Sequence, residues 1–276
     1  MIQKTVDVTE NKRISGDCWK MRLASPEIAA EARPGQFVMV RPDNGLKPFL
    51  PRPFSIHRVN TEAGGLELLY KVVGQGTAKM SALAAGDPMA VIGPLGKGFL
   101  LDQPFENIDI VAGGIGVAPL VFLAAVLIDG RSVSPDRIRA FIGGAGADDV
   151  LCRQDFAAMK IDAWTATDNG SLGYHGFVTE PFQNAINDRR PDMIFACGPP
   201  AMLRTVARIS IAENIACQVS VESMMACGIG ACLGCAVKAN NSIDYKHVCR
   251  EGPVFSAGDL DFDDLVDTLG ARHQTN

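Results

Sequence analysis

The sequence predicts a β + α/β chain: an N-terminal antiparallel β-barrel, a doubly wound parallel sheet, and a small cysteine-rich C-terminal domain. Three observations carry this. Residues 1–102 hold short alternating strands cut by Gly, Pro and Asn turns. Residues 103–217 alternate apolar strands with helical stretches. Residues 218–276 gather four of the eight cysteines into a glycine-rich stretch. Short evenly spaced strands suit a barrel, and strand–helix alternation suits a parallel sheet covered on both faces.

In the first region the strand runs are Cys18–Leu23, Gln36–Arg41, Leu66–Val73 and Pro88–Ile92, with turns at Pro34–Gly35 and Pro42–Gly45. One helix interrupts them, Gly76–Ala85, with Thr77 as its N-cap and Gly86 as its stop. In the second region Ile108–Ala112 is a strand, Gly113–Gly116 a tight turn, and Pro119–Ile128 a helix opened by proline. Strand Ile138–Ile142, helix Cys152–Lys160, and strands Ala163–Thr167 and Met193–Cys197 follow, then a helix from Ala201 to about Asn214. The acidic stretch Asp259–Asp264 reads as surface.

Composition narrows the function classes. The 276 residues are 47% hydrophobic, enough for real cores, and the net charge is −5 from 26 basic and 31 acidic residues. With no basic run, nucleic acid and an anionic membrane surface are poor partners. No segment approaches the ~20 apolar residues of a membrane span, and the N-terminal stretch lacks an apolar signal core, so a cytoplasmic location is expected. In a reducing compartment, grouped cysteines indicate a metal or redox role before disulfides.

Cys227, Cys232 and Cys235 form a C-x4-C-x2-C pattern, and Cys249 follows. That spacing is the plant-type arrangement for a [2Fe–2S] cluster, with the fourth thiol arriving sooner than in plant ferredoxins. Gly228, Gly230 and Gly234 let the backbone wrap the sulfurs closely. Structural zinc is the alternative, although such sites usually pair two short Cys units and only one is present.

Two motifs in the barrel fit a flavin. Arg52-Pro53-Phe54-Ser55 offers a cation for a pyrophosphate and hydrogen-bonding groups for a ring edge. Gly74 and Gly76 allow close backbone approach, and the helix start at Thr77 favours an anion. His57 beside them reads as an ordinary packed or surface residue.

Gly113, Gly114 and Gly116 lie between a strand and a helix, as a dinucleotide loop requires, but Pro119 stands where a last glycine would be. Asp168, in Thr167–Gly173, and Cys197-Gly198-Pro199-Pro200 each follow a strand, where ligands bind open sheets. Cys197 could pack against a nicotinamide or be a buried small residue. Asp148 and Asp149 are weaker ribose candidates. Only Arg153 is near for a 2′-phosphate, which favours NAD over NADP.

Together, R-P-x-S, G-G-I-G-x-A-P and C-G-P-P resemble the ferredoxin–NADP reductase superfamily over nearly the whole chain. Glu222–Lys238, carrying three of the cysteines, and Tyr245–Phe255, with Cys249 and Gly252-Pro-Val-Phe255, resemble the electron-transfer subunits of class 1B dihydroorotate dehydrogenases. The resemblance implies FAD on Arg52, Pro53, Phe54 and Ser55, with Leu69, Tyr70 and Lys71 near the adenine and Gly76 and Thr77 at the pyrophosphate. It implies a [2Fe–2S] cluster on Cys227, Cys232, Cys235 and Cys249, and NAD as substrate. It also implies a separate FMN-containing dihydroorotate dehydrogenase subunit, two of each in a heterotetramer. Electrons would pass from dihydroorotate through FMN, cluster and FAD to NAD+.

No residue pair here reads as a catalytic acid or base for dihydroorotate, so that chemistry would belong to the partner. Met224, Met225, Ile229 and Leu233 are then candidate contacts, or packing around the cluster. Two other readings compete: a related reductase subunit serving a different redox partner, and a zinc-stabilised interaction protein without activity.

Overall fold

The computed structural model describes residues 1–42, 49–61, 63–240 and 242–270. The predicted turn at Pro42–Gly45 therefore lies largely outside the described residues.

The barrel is built from β1 (Ile2–Ser15), β2 (Cys18–Ala24), β3 (Phe37–Arg41), β4 (Arg52–Asn60), β5 (Gly65–Lys71) and β6 (Pro88–Leu95), closed in the order β1-β2-β5-β4-β3-β6. Helix α1 (Pro26–Glu31) and helix α2 (Gln75–Ser81) lie in its connections. Alternate residues fill the interior: Val6 and Val8, Met21 and Leu23, Val38 and Val40, Leu66 and Leu68, Met89 and Val91. This is the two-residue period of a strand with one face turned inward.

The second unit is a seven-stranded sheet. Its strands are β7 (Ile108–Gly113), β8 (Ile138–Gly144), β9 (Asp162–Thr167), β10 (Tyr174–His175), β11 (Met193–Cys197), β12 (Ala216–Ser220) and β15 (Val254–Ser256). The order is β10-β9-β8-β7-β11-β12-β15, parallel except for β15, which runs antiparallel to β12. Helices α3 (Val117–Ala125), α4 (Arg153–Ala158), α5 (Thr179–Asp188) and α6 (Pro200–Ala212) provide the crossovers. The central strands β7 and β11 are buried along their whole length, as expected of parallel strands covered on both sides. Among the described residues, no helix is long and apolar enough to cross a membrane.

The cysteine-rich region adds a two-stranded sheet, β13 (Ala236–Lys238) with β14 (Tyr245–His247), and the short helix α7 (Phe262–Leu265). The predicted boundary at 217/218 falls inside β12, and β15 returns to the large sheet. The acidic stretch is less free than its composition suggests. Leu260 and Phe262 are buried, Asp261 caps α7 and bonds Lys238 at 2.8 Å, and Asp263 faces Arg208 at 2.8 Å.

Helix starts differ in detail from expectation. The helix after the glycine turn begins at Val117, so Pro119 sits inside its first turn and does not open it. Helix α2 begins at Gln75 with Gly74 as its cap. Thr77 is therefore the third helical residue, and its hydroxyl oxygen accepts from the Gly74 amide at 3.1 Å. This is a capping box completed from inside the helix, not an N-cap.

Among the described residues, a charged pair is buried in the sheet, Asp109 on β7 and Arg139 on the adjacent β8, opposite each other in register. Arg139 Nε and Nη2 each donate to Asp109 at 2.8 Å, and the guanidinium also reaches the carbonyls of Ala185 and Arg189. Burial pushes the Asp109 carboxyl up, and Arg139 opposes that shift. Removing one partner leaves a buried charge, whereas replacing both with apolar residues does not. Asp109→Ala should therefore cost about 3–5 kcal/mol in chemical denaturation, and Asp109→Leu with Arg139→Met should cost less than either single change.

Candidate functional site

The flavin motifs meet in space. Arg52 opens β4 and pairs with Val40 of β3. Its guanidinium lies against the backbone of Gly76, so closely that a Cβ at Gly76 would overlap it. Arg52 Nη1 donates to the Leu50 carbonyl. A guanidinium and a glycine-lined helix start, side by side, form a cradle suited to a pyrophosphate. Thr77 is buried, and its Oγ1 also accepts from the Val73 amide at 2.9 Å, tying down the turn before the helix.

The remaining flavin candidates divide by face. Pro53, Phe54 and Ser55 are half-buried on β4. Tyr70 is buried within the barrel, edge-to-face with Phe54 at 5.8 Å. Its hydroxyl donates to Asn11 Oδ1 at 3.0 Å, and burial pushes its pKa up to about 12. Leu69 is buried on the opposite face, in the nucleotide-domain core. The Leu69 and Tyr70 side chains are thus committed to packing, and backbone is what they can offer a ligand. Lys71 is exposed and bonds Asp149 at 3.2 Å. Asn11 was not anticipated: its Nδ2 holds the carbonyls of Met80 and Leu83 at 2.8 and 2.9 Å, fixing the end of α2 to β1. An isolated Asn in a charged strand gives no local signal of this.

On the large sheet, the two glycine-bearing loops interlock. Gly113 ends β7, and Cys197 at the end of β11 pairs with Ala112. A Cβ on Gly113 would come within 2.6 Å of Pro199 Cδ, and one on Gly116 within 2.6 Å of the Cys197 carbonyl oxygen. Gly114 takes φ +52°, a left-handed conformation suited to glycine. Asp168 follows β9, two strands away at the same carboxyl edge, and its amide donates to the Gly144 carbonyl at 3.1 Å. Cys197 itself is buried; burial first, then the Glu222 charge, raises its thiol pKa. Asp148 and Asp149 face the barrel: Ser15 Oγ donates to the Asp148 carbonyl at 3.0 Å, and Asp149 holds Lys71.

The four cysteines are brought together. Cys235 and Cys249 sulfurs are 3.2 Å apart and buried, while Cys227 is half-buried and Cys232 exposed. Backbone amides point at sulfur: Gly230 to Cys249 at 3.1 Å, Cys249 to Cys235 at 3.4 Å, and Cys232 to Cys227 at 3.4 Å. Burial raises the Cys227 pKa, but hydrogen bonds from the Ile229 and Cys232 amides, the Cys232 thiol and the Ala231 amide together outweigh it and bring the thiol down to about 6. Gly228 and Gly230 take φ +71° and +82°, and a Cβ on Gly228 would overlap Met39 of β3. Four thiols with amides donating to sulfur fit the ligand set of a [2Fe–2S] cluster. Of the candidate contacts, Met224, Ile229 and Leu233 are exposed, whereas Met225 packs on the core.

Comparisons with known proteins agree with this division. The oxidoreductase FAD-binding domain family matches residues 5–99, the oxidoreductase NAD-binding domain family 110–208, and the iron–sulfur cluster binding domain of dihydroorotate dehydrogenase B 222–261. The chain is 39% identical over 244 residues to the dihydroorotate dehydrogenase B (NAD(+)) electron transfer subunit of Desulforamulus reducens, covering 88% of this chain and 92% of the relative. The subunit of the same name from Caldanaerobacter subterraneus subsp. tengcongensis is 36% identical, covering 92% and 97%. Among solved structures, the NADH-dependent reduced ferredoxin–NADP oxidoreductase superposes with a TM-score of 0.84 at 27% identity, over 96% of this chain and 93% of that one. A ferredoxin–NADP+ reductase from Neisseria gonorrhoeae shares the fold at a TM-score of 0.63 and 16% identity, over 76% and 91%.

The contact between Arg52 and Gly76 yields a specific expectation. Gly76→Val would push the guanidinium out of the cradle, and Arg52→Met would remove it. Each should weaken FAD retention by roughly 10–100-fold, the equivalent of a lost charge-assisted hydrogen bond of ~1.5–3 kcal/mol. Flavin absorbance per chain after gel filtration at low protein concentration measures this. Undiminished flavin in both variants contradicts the cradle.

Proposed function

The chain belongs to the family of dihydroorotate dehydrogenase B (NAD(+)) electron transfer subunits, and from that premise we propose that it relays electrons from a dihydroorotate-oxidising partner subunit to NAD+. The observation that carries this reading is the seating of the cysteine loop on the flavin barrel. Met39 and Leu95 of the barrel share one core with Cys235 and Cys249, which supports a cluster held beside the flavin domain. Flavin, when bound, exchanges electron pairs with nicotinamide and single electrons with an iron–sulfur cluster, which suits it to a position between them.

The residues of this chain bind, orient and shield. Arg52, Gly76 and Thr77 would hold the FAD pyrophosphate, with Pro53, Phe54 and Ser55 along the flavin and the backbone at Leu69–Lys71 towards the adenine. Gly113, Gly114 and Gly116 with Gly198 and Pro199 would admit NAD at the carboxyl edge of the sheet, and Asp168 lies along the same edge. Cys227, Cys232, Cys235 and Cys249 would hold the cluster, with amides directed at the sulfurs lowering the cost of negative charge there. The partner would carry FMN and assemble as two of each subunit. The exposed apolar side chains Met224, Ile229 and Leu233 on the cysteine loop support docking at that face.

A second reading is favoured by the likeness to the reduced ferredoxin–NADP oxidoreductase: the same relay serving another redox partner. Anaerobic co-purification of the tagged chain from its host separates the two. The first reading expects an FMN-containing polypeptide in the eluate and NAD+ reduction driven by dihydroorotate. A flavoprotein that oxidises NADH with artificial acceptors but ignores dihydroorotate overturns it in favour of the second.

Within the assembled complex, Cys227→Ser or Cys249→Ser should abolish dihydroorotate-dependent NAD+ reduction to background. NADH oxidation by ferricyanide through the flavin should persist. Iron per flavin, measured on the same samples, should fall in parallel.

A further inference from the structure

We propose that His57, Cys152 and Asp155 form a zinc-binding site between the barrel and the nucleotide domain, separate from the cysteine loop. A ring nitrogen of His57, the Cys152 sulfur and an Asp155 carboxylate oxygen all lie within 4.8 Å of one another. His57 comes from β4, while Cys152 caps α4 and Asp155 lies within it, so the three side chains join two domains.

The histidine points to a ligand. It is fully buried, and its Nδ1 lies 3.0 Å from the Ala118 carbonyl oxygen, so Nδ1 carries the proton and donates it. The lone pair is thereby on Nε2, which is buried and has no hydrogen-bond partner. A backbone carbonyl that fixes the tautomer and orientation of the ring is the usual support of a metal-binding histidine. Burial also keeps the ring neutral, pushing its pKa down to about 4.

The carboxylate is held in the same manner. Arg58 Nη2 at 3.0 Å and Lys20 Nζ at 3.8 Å both engage Asp155 Oδ1, and the Cys152 thiol hydrogen-bonds the same carboxylate, a proton that an ion shared by the two side chains would replace. Cys152 is half-buried with φ 61°, and burial, then the Asp155 charge, pushes its thiol up to about 12. Binding therefore forms Zn–S, Zn–N and Zn–O bonds and releases the Cys152 thiol proton to solvent, with no change of oxidation state. A mixed sulfur, nitrogen and oxygen set suits zinc, whereas magnesium and calcium prefer oxygen alone. Water completes the tetrahedron from the side where Asp155 reaches solvent. The bound ion would tie a flavin-domain strand to a nucleotide-domain helix.

The test uses the chain with its cluster and flavin in place, equilibrated anaerobically with zinc sulfate and desalted. Elemental analysis should find about one zinc per flavin in the wild type. Cys152→Ser and Asp155→Asn should lose it while iron per flavin stays constant. A wild type that retains no zinc, or variants that retain as much, overturn the proposal. A second measurement needs no variant: zinc should slow alkylation of Cys152 by N-ethylmaleimide at least ~10-fold, read by peptide mass. An unchanged alkylation rate overturns it equally.

Discussion

The structure depends on one strand that belongs to two cores. Along β3, Val38 and Val40 point into the barrel, while Phe37 and Met39 point out into the core that contains Cys235, Cys249, Val248 and Phe255. The strict alternation of a β-strand makes this possible, since neighbouring side chains take opposite faces. Arg41 and Arg52 lie at the far end of the same β3–β4 ladder. The candidate flavin cradle and the cysteine loop are therefore referenced to a single backbone segment. In a relay, where the protein supplies position and the cofactors supply chemistry, that shared reference matters more than any single hydrogen bond.

Glycine serves this architecture through contact more often than through unusual backbone angles. Gly76 makes room for Arg52, Gly228 for Met39, and Gly113 and Gly198 for each other's loops. In every case a Cβ would strike a neighbour that another motif supplies. The motifs are thus fitted to one another as well as to ligands. The loops at the ends of β7 and β11 could not approach so closely with alanine in either place.

Much of this was legible in the sequence. The alternating strands, the strand–glycine–helix order and the cysteine spacing each have a local physical cause, and they led to the right architecture and cofactors. The unread parts depend on distant partners. Strand β1 is fourteen residues long, yet Val6 and Val8 are its fully buried apolar residues, and its charged outer face hides the period. Strand β15 has three residues and exists because β12 is beside it. The placement of Thr77 inside α2 follows from Gly74 accepting the extended cap geometry, which the usual preference for threonine at a cap obscures. Tyr70 was legible in principle: it shares the parity of Leu66 and Leu68, which places its ring inside the barrel.

The stretch between β12 and β15 carries all four candidate cluster cysteines, and both of its ends are held in the large sheet by strand pairing, Gln218 to Ser256 and Ser220 to Val254. Small metal domains commonly have no fold until the metal arrives, because nothing else closes their loops. Here hydrogen bonds between strands also close the loop, and the Val248 amide bonds the Cys235 carbonyl at 3.1 Å within it. The large sheet therefore sets the separation of the loop's two ends, so a substitution that breaks the β12–β15 pairing would reach the four thiols without touching any of them.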